Sequence, residues 1–312
     1  MAARSTLGLM VLLLAPCVGC RSQPSAIDAI WEGDVALLGA LDRGADVNAS
    51  DDAGYAVIHH AAIRGDVTAI DALLARHATV DALNAKHETA LFLAAALGKT
   101  ECVHALLAGG ANASVQIPPS MTTSLIEASR SGPIEIVQLL LEGGADPNAR
   151  NTWGETAFHA AAKSDALRAE AVAKLLVAHG ASFDVRDARG YTPLHVAASN
   201  GNLGIVRLYH ESGRDLSPAT VLGQTPIDVA VETQSVYVED LLHRLGGKAS
   251  DPKYAPVVFR KARVDDAEAV ERLLSLGADP ADTSNGQTLL VAAREAGARN
   301  VEAIVARSRK AN

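Results

Sequence analysis

The side chains in this sequence that could carry chemistry are, first of all, ten histidines and three cysteines. Imidazole can act as a general acid or base or bind a metal, and a thiolate can act as a nucleophile or a metal ligand. The adjacent pair His59 and His60 could bind a metal only if a third ligand approached it. No cluster of Cys and His at metal-ligand spacing accompanies this pair in the sequence, so the pair alone does not predict a metal site.

Sequence motifs for catalysis or nucleotide binding are missing as well. The chain has no Gly-rich phosphate loop, no His-Glu-x-x-His and no Gly-x-Ser-x-Gly, the patterns that mark nucleotide, zinc-protease and serine-hydrolase sites. Acidic residues such as Asp46, Asp146 and Asp279 recur at one place, directly after an apolar run. Asp side chains there can accept hydrogen bonds from nearby backbone N–H groups and so form Asx turns. We therefore expect no enzyme activity, no cofactor and no metal.

Three of the histidines share one local context, which is clearest around His195. Thr192 is a favourable N-cap because its hydroxyl can accept from a free backbone N–H, and Pro193 falls at the first helical position, where a missing N–H costs nothing. His195 stands at the third helical position, from which a side chain can reach back to the cap. His59 and His159 occupy equivalent places. This recurrence predicts a structural role for all three histidines.

The elements that carry these histidines are short paired helices. The helix that starts at Pro193 ends at Gly201, and an apolar run from Leu203 to Glu211 predicts a second, antiparallel helix. Such a pair buries too little surface to be stable alone, so similar pairs must stack on one another. Further copies follow at steps of 33, 34, 33, 36, 33 and 63 residues. The corner residues that define these steps are Gly54, His87, Met121, Gly154, Gly190, Gly223 and Gly286.

These units resemble ankyrin repeats, whose period is about 33 residues and whose signature contains Thr-Pro-Leu-His-x-Ala. The signature is complete at 192–198 and close to complete at 156–161 and 225–230. The resemblance implies an all-α fold, an α-solenoid of about nine stacked ankyrin repeats with β-turn fingers, over residues 26–312. Within it the repeats at 26–50 and 251–282 are incomplete, and 283–312 is the terminal repeat.

Three segments depart from the repeat. An insertion of about three residues within 163–168 lengthens the turn between two helices. The segment 116–123 has no Gly at its corner, so its β-turn must be built differently. The segment 251–256 enters a unit that lacks a recognisable Thr cap, and there we expect a local break in the stack.

The first twenty residues have the layout of a secretory signal. Arg4 precedes an apolar run that is too short to span a membrane, and the run ends near Cys20. Val18-Gly19-Cys20 resembles the end of a bacterial lipoprotein signal, although Cys17 replaces the usual Leu. We expect lipidation at Cys20 and a short spacer at 21–25, with a plainly cleaved, secreted protein as the alternative. Either outcome predicts export to the cell envelope or periplasm.

Composition narrows the range of partners. The 312-residue chain has a formal net charge of −8, which argues against nucleic acid, because a polyphosphate favours a basic surface. After signal removal, Cys102 is the one cysteine left in the repeats, so no disulfide framework is expected. We expect a monomer that contacts the membrane only through an N-terminal lipid anchor.

The residue positions that the repeat pattern does not constrain must carry the function. The family resemblance implies that protein partners bind the finger tips and the exposed face of the first helices, which together form a concave surface. Trp153 and Tyr191 stand out because aromatics and Arg dominate binding energy at interfaces; alternatively, Trp153 folds over a neighbouring finger to fill a gap. The positions that carry over are Tyr55, Arg64, Lys86, Glu88, Arg130, Thr152, Trp153, Glu155, Lys163, Arg189, Tyr191 and Asn200.

These features predict a non-catalytic module that binds a protein partner of unknown identity. One version is a scaffold or helper for a periplasmic enzyme. The alternative is an immunity or inhibitor protein that blocks a toxin or secreted enzyme.

Overall fold

The computed structural model describes residues 25–250, 261–262, 264–275, 283–284 and 287–311. The helices in these ranges are α1 (Ala26–Glu32), α2 (Asp34–Asp42), α3 (Val57–Arg64), α4 (Val67–Leu74), α5 (Ala90–Ala96), α6 (Thr100–Ala108), α7 (Ser124–Ser131), α8 (Ile134–Glu142), α9 (Ala157–Ala161), α10 (Ala166–Ala178), α11 (Pro193–Asn200), α12 (Leu203–Glu211), α13 (Pro226–Glu232), α14 (Val236–Arg244), α15 (Ala267–Ser275), α16 (Leu289–Glu295) and α17 (Arg299–Ala311). The two strands there, β1 (Thr283–Ser284) and β2 (Gln287–Thr288), form a short antiparallel pair. The predicted signal with Cys20, nearly all of the spacer and the expected break at 251–256 lie outside the described residues.

The helices form two stacked layers. First helices of successive units pack on one another, as α3 does on α5 and α5 on α7, and second helices do the same, as α4 does on α6 and α6 on α8. One hydrophobic core, made largely of Ala, Leu, Val and Ile, continues from Ala26 to Val305 between the layers. The prediction of an all-α repeat solenoid is confirmed. The count of nine units stays a prediction. In the unit that contains α15, only part of the first helix, residues 261–262, lies within the described residues.

Threonine hydroxyls cap several of the first helices, as the repeat pattern predicts, although the hydroxyl of Thr192 lies 2.9 Å from Nδ1 of His195 instead. The hydroxyl of Thr89 accepts a hydrogen bond from the backbone N–H of Phe92 at 3.1 Å. Thr123 caps α7 and Thr288 caps α16 in the same way. Ala56 stands at this position before α3 and has no hydroxyl to offer. Each cap satisfies one of the backbone donors that a helix start leaves unpaired.

A β-turn finger precedes each first helix from α3 to α13. These segments, numbered two to seven after the repeat they begin, are fingers two (50–55), three (83–88), four (116–122), five (150–155), six (186–191) and seven (219–224). In finger six the carboxylate of Asp187 accepts from the backbone N–H groups of Arg189 and Tyr191, both at 2.8 Å. Asn151 does the same for Trp153 and Glu155 in finger five. One buried polar side chain thus fixes the tip of each of these fingers.

Finger four is built differently, as expected from its lack of glycine. Met121 takes the left-handed conformation, with φ of 53°, that Gly154 and Gly190 take in the fingers that follow. Ile117 and Thr122 pair across this turn as an isolated β-bridge. A non-glycine residue with this φ carries a modest strain, which the bridge helps to offset.

The insertion near 163–168 contains Arg168, a cation for which the repeat pattern predicts no role. Arg168, in the first turn of α10, donates to the carbonyl oxygens of Ser129 at 2.7 Å and Gly132 at 2.9 Å, and also to that of Ala128. These carbonyls belong to the last turn and C-cap of α7. The guanidinium therefore satisfies acceptors that a helix end leaves free and matches the negative end of its dipole.

Candidate functional site

Each of the three recurrent histidines connects its own repeat to the next one. The imidazole Nδ1 of His195 accepts from the backbone N–H of Thr192 at 3.1 Å, so Nε2 carries the proton. Nε2 donates to the carbonyl oxygen of Gln224, in finger seven, at 3.1 Å. His159 makes the equivalent bond to Tyr191 at 3.0 Å. The predicted structural role is confirmed by these bonds.

Burial keeps these imidazoles neutral. His59, His159 and His195 have no solvent-exposed area. Burial lowers the pKa of all three, and that of His195 to about 4. A neutral ring is also what the hydrogen bonds require, because a protonated Nδ1 could no longer accept from the cap N–H.

In the seventh unit the histidine position is taken by Asp228. Its carboxylate accepts from the backbone N–H of Thr225 at 2.7 Å and from that of Ser250 at 3.0 Å. The connection to the next segment therefore runs in the opposite direction, with the following backbone as donor. Burial raises the pKa of Asp228.

Five of the predicted contact residues come together in one surface depression of about 640 Å³. Trp153 forms one wall and its side chain is 58% exposed, so it is not folded away beneath the neighbouring finger. The depression, called here the Trp153 depression, is lined by Arg130, Trp153, Glu155, Lys163, Asp187, Ala188 and Arg189.

In the Trp153 depression the acidic side chains are buried and the basic side chains are exposed. Glu155 and Asp187 are each only 7% exposed, whereas Arg130, Lys163 and Arg189 are exposed. Burial acts to raise the pKa of Glu155, but the ion pair and hydrogen bond with Lys163 outweigh it and hold that pKa below its ordinary value. Glu155 is thus engaged within the chain and positions Lys163. The surface that a partner meets is basic.

Two further arginines lie at the bases of the same fingers. The guanidinium of Arg150 donates to the carbonyl oxygen of Arg186 at 2.7 Å, and Arg186 in turn donates to that of Ala219 at 2.5 Å. Gln116 makes the equivalent bond to Arg150 at 3.1 Å. A ladder of side-chain-to-carbonyl bonds therefore ties fingers four to seven together. Within the described residues, neither Arg150 nor Arg186 has a carboxylate partner within 4.0 Å.

Exposed apolar residues continue the surface into finger seven, and sequence reasoning missed them. Val221 is 77% exposed and Leu222 is 68% exposed. They are adjacent to finger six, because a Cβ placed on Gly190 would lie 2.8 Å from the backbone nitrogen of Val221. Finger six touches finger five where Ala188 N donates to Trp153 O at 2.8 Å. The tip residues Trp153, Ala188, Val221 and Leu222, called here the finger ridge, follow one another along the stack.

Tyr191 is less accessible than Trp153. Its ring stacks on the imidazole of His195, with centroids 5.4 Å apart, and Arg189 covers it from finger six. The hydroxyl donates to Gln224 at 3.4 Å. Tyr191 therefore supports finger six and does not itself line the Trp153 depression.

The other predicted residues lie elsewhere. Lys86 and Glu88 line a separate depression between fingers three and four. Thr152 is exposed and bonds to the Ser120 carbonyl oxygen, and Asn200 is exposed on the last turn of α11. None of these four residues lines the Trp153 depression.

Tyr55 and Arg64 belong to a cluster at the N-terminal end of the stack. Arg64 lies over the ring of Trp31, 5.7 Å from its centroid, and the ring of His60 lies 5.2 Å from Trp31 and 5.7 Å from Tyr55. The Arg64 side chain thus rests on a residue that the sequence reasoning did not consider.

The described residues contain neither a candidate metal site nor a candidate membrane span. No group of three His, Cys, Asp or Glu residues there could hold a metal ion. No helix in the described part of the chain is both long enough and apolar enough to traverse a bilayer. Cys102 is buried, and burial raises the pKa of its thiol to about 11.

A two-layer stack of helix pairs, with a row of fingers beside the first helices, defines a repeat protein of the interaction-module class. Comparison with known families agrees: the model for ankyrin repeats matches residues 27–117, 125–218 and 169–252. The chain belongs to the ankyrin repeat family.

Relatives span many protein types. The chain is 29% identical over 259 residues to E3 ubiquitin-protein ligase KEG of Arabidopsis thaliana, covering 80% of this chain and 14% of that protein. It is 30% identical over 197 residues to ankyrin repeat and SOCS box protein 16 of Homo sapiens, covering 62% and 43%. It is 36% identical over 88 residues to protein phosphatase 1 regulatory subunit 12A of Mus musculus, covering 28% and 8%. The chain thus spans less than half the length of each of these relatives.

Proposed function

We propose that this protein is a non-catalytic interaction module that binds a partner protein on its concave surface, centred on the Trp153 depression and the finger ridge. The observation that carries the proposal is the 58% exposure of Trp153 among exposed cations. The chain has only two Trp residues. A large exposed aromatic beside Arg side chains is the composition that dominates interface energetics.

We further propose that the module acts in the bacterial cell envelope. The support is the N-terminal sequence, in which a short apolar run ends at Val18-Gly19-Cys20. Lipidation at Cys20 would leave only residues 21–25 between the lipid and the first helix and hold the stack near the membrane. In that setting, the partner is an exported protein, and a scaffold or helper role for a periplasmic enzyme fits a surface with no catalytic motif.

Site-specific photo-crosslinking in native envelopes tests the proposed binding surface. A photoreactive amino acid at Leu222, on the finger ridge, should yield a crosslinked partner that mass spectrometry identifies. The matched control is Tyr237, which is 81% exposed on the second-helix side, in α14. Crosslinking from Tyr237 but not from Leu222 would place the partner on the other face and contradict the proposal. Loss of the partner's enzymatic activity on binding would favour the inhibitor version over the helper version.

A further inference from the structure

We infer that the element recognised at the Trp153 depression and finger ridge is an acidic peptide segment with apolar anchor residues. This inference rests on the proposed function and adds the chemistry of the partner. Two independent features of the surface support it. One is an apolar line along the tips of fingers five to seven, and the other is a basic line made of cations from fingers five and six, the last turn of α7 and the turn after α9.

The apolar line is the finger ridge. Trp153, Val221 and Leu222 are each more than half exposed. Tight turns of this kind usually carry Gly, Asn, Asp or Ser at the tip, because those residues suit the backbone and the solvent. The exposed Val221 and Leu222 of finger seven and the exposed Trp153 of finger five, with the tip of finger six between them, form an apolar surface that no described residue covers. Such a line fits aliphatic or aromatic side chains of a bound segment.

The basic line consists of Arg130, Arg150, Lys163, Arg186 and Arg189, all of them exposed. Three of them form ion pairs: Lys163 with Glu155, Arg189 with Asp187 at 3.2 Å, and Arg130 with Glu127 at 3.6 Å. The five cations thus outnumber these three carboxylates, and two of the carboxylates, Glu155 and Asp187, are buried. In a chain with a net charge of −8, this local surplus of exposed cations has the opposite sign to the molecule. Complementarity therefore favours an acidic partner surface.

Arg150 and Arg186 add directional donors. Each guanidinium has five N–H donors. Arg150 uses Nη2 for its ladder bond, and Arg186 uses Nη1 for both of its bonds. The ladder holds the two guanidinium groups in place at the finger bases, so their remaining donors are pre-positioned. A carboxylate is the group that an arginine fork binds best in a protein partner.

Nucleic acid is the other polyanion that a basic and aromatic surface could attract. The net charge of −8 opposes a long polyphosphate. Val221 and Leu222 also offer no ring on which a base could stack. An acidic peptide requires neither a basic protein overall nor a ring for base stacking. Its few carboxylates need only the local cations, and its apolar side chains can pack on the finger ridge.

Three labelled synthetic peptides of equal length test the inference by fluorescence anisotropy: alternating Leu and Glu, alternating Leu and Lys, and alternating Ser and Glu. We expect the Leu–Glu peptide to bind at least about tenfold more tightly than the others and to weaken as salt increases. The double variant Arg130→Gln, Arg189→Gln should lose most of this binding. Arg76→Gln is the matched control, because Arg76 pairs with Asp42 away from the fingers.

Four outcomes would overturn the inference. These are equal binding of the Leu–Lys peptide, equal binding of the Ser–Glu peptide, no binding of any peptide, or oligothymidylate bound as tightly as Leu–Glu in the same buffer. Circular dichroism of each variant verifies folding. If the native partner still crosslinks through Leu222 while the Leu–Glu peptide neither binds nor competes, the acidic-peptide inference fails and the proposed function stands. If Leu222 gives no crosslinked partner, the proposed function itself fails.

Discussion

The guanidinium of Arg189 lies over the ring of Tyr191, 4.6 Å from its centroid. The same guanidinium pairs with Asp187 at 3.2 Å, and Asp187 also holds the backbone of finger six. Arg189 is therefore oriented by two neighbours before any partner arrives. Preorganised side chains lose less conformational entropy on binding.

Replacing Tyr191 should therefore loosen finger six. Tyr191→Ala removes both the stack on His195 and the surface beneath Arg189, and we expect a loss of about 2 kcal/mol in the free energy of unfolding. Tyr191→Phe should cost far less, because its hydroxyl makes only a long bond of 3.4 Å to Gln224. Urea denaturation measures both. Equal losses for Ala and Phe would mean that the hydroxyl, not the ring, stabilises the finger.

Acid should destabilise the stack through its buried histidines. The pKa of His195 is about 4 in the folded chain against 6.5 for the free side chain, so between these values only the unfolded chain binds the proton. The contribution of the neutral His195 to the free energy of unfolding is therefore fully present above about pH 6.5, and it is lost as the pH falls toward 4. His195 alone contributes up to about 3 kcal/mol to this loss, and His59 and His159 act in the same direction.

Urea midpoints measured from pH 7.5 to pH 4.5 test that prediction. His195→Gln should be less stable at pH 7.5 yet show a shallower decline with acid than the parent protein. A parent stability that stays constant across this range, or a variant with an unchanged slope, would contradict the assignment of neutral, buried imidazoles.

Removing the guanidinium of Arg168, in the insertion near 163–168, should weaken the packing between the fourth and fifth units. Arg168→Ala leaves carbonyl oxygens of Ala128, Ser129 and Gly132 without this donor, and we expect a loss of about 2 kcal/mol. Lys174→Ala is the control on the same helix, since Lys174 is exposed and, among the described residues, forms an ion pair with Glu170 alone; it should leave the free energy of unfolding nearly unchanged, because exposed ion pairs contribute little. Similar effects of the two variants would show that Arg168 has no special role.

The lipid prediction distinguishes two neighbouring cysteines. Palmitate labelling of the protein in a bacterial host should disappear in Cys20→Ser and persist in Cys17→Ser. The reason is that Val18-Gly19 provides the small residues before Cys20, whereas Pro16 precedes Cys17. Absence of label in the parent protein would instead support a plainly cleaved signal.

Local features of the fold were predictable because each is encoded within a few residues. Thr192, Pro193 and His195 predict a capped helix with a histidine facing its own cap, and the repeat period predicts the stack. The bond from His195 to Gln224 was not predictable in detail, because its acceptor comes from the next unit. Arg168 and Asp228 were missed for the same reason: their partners are 22 or more residues away in sequence.

The candidate site was predictable in part. Arg130, Trp153, Lys163 and Arg189 were expected on one surface from their repeat positions, and they line one depression. Glu155 was expected at an exposed tip but is buried, because Asn151 and Lys163 both engage its carboxylate. Val221 and Leu222 could have been found from the sequence, since two apolar residues at a finger tip depart from the usual turn composition.

The central claim is that Trp153 anchors a partner on the concave surface, and the most direct measurement compares the two tryptophans of the chain. Titration calorimetry with the crosslinked partner, once purified, would give the affinity of the parent, Trp153→Ala and Trp31→Ala proteins. We expect Trp153→Ala to weaken binding by at least about thirtyfold, equivalent to about 2 kcal/mol, and Trp31→Ala to leave the affinity nearly unchanged. An affinity unaffected by Trp153→Ala, with circular dichroism unchanged, would contradict the claim.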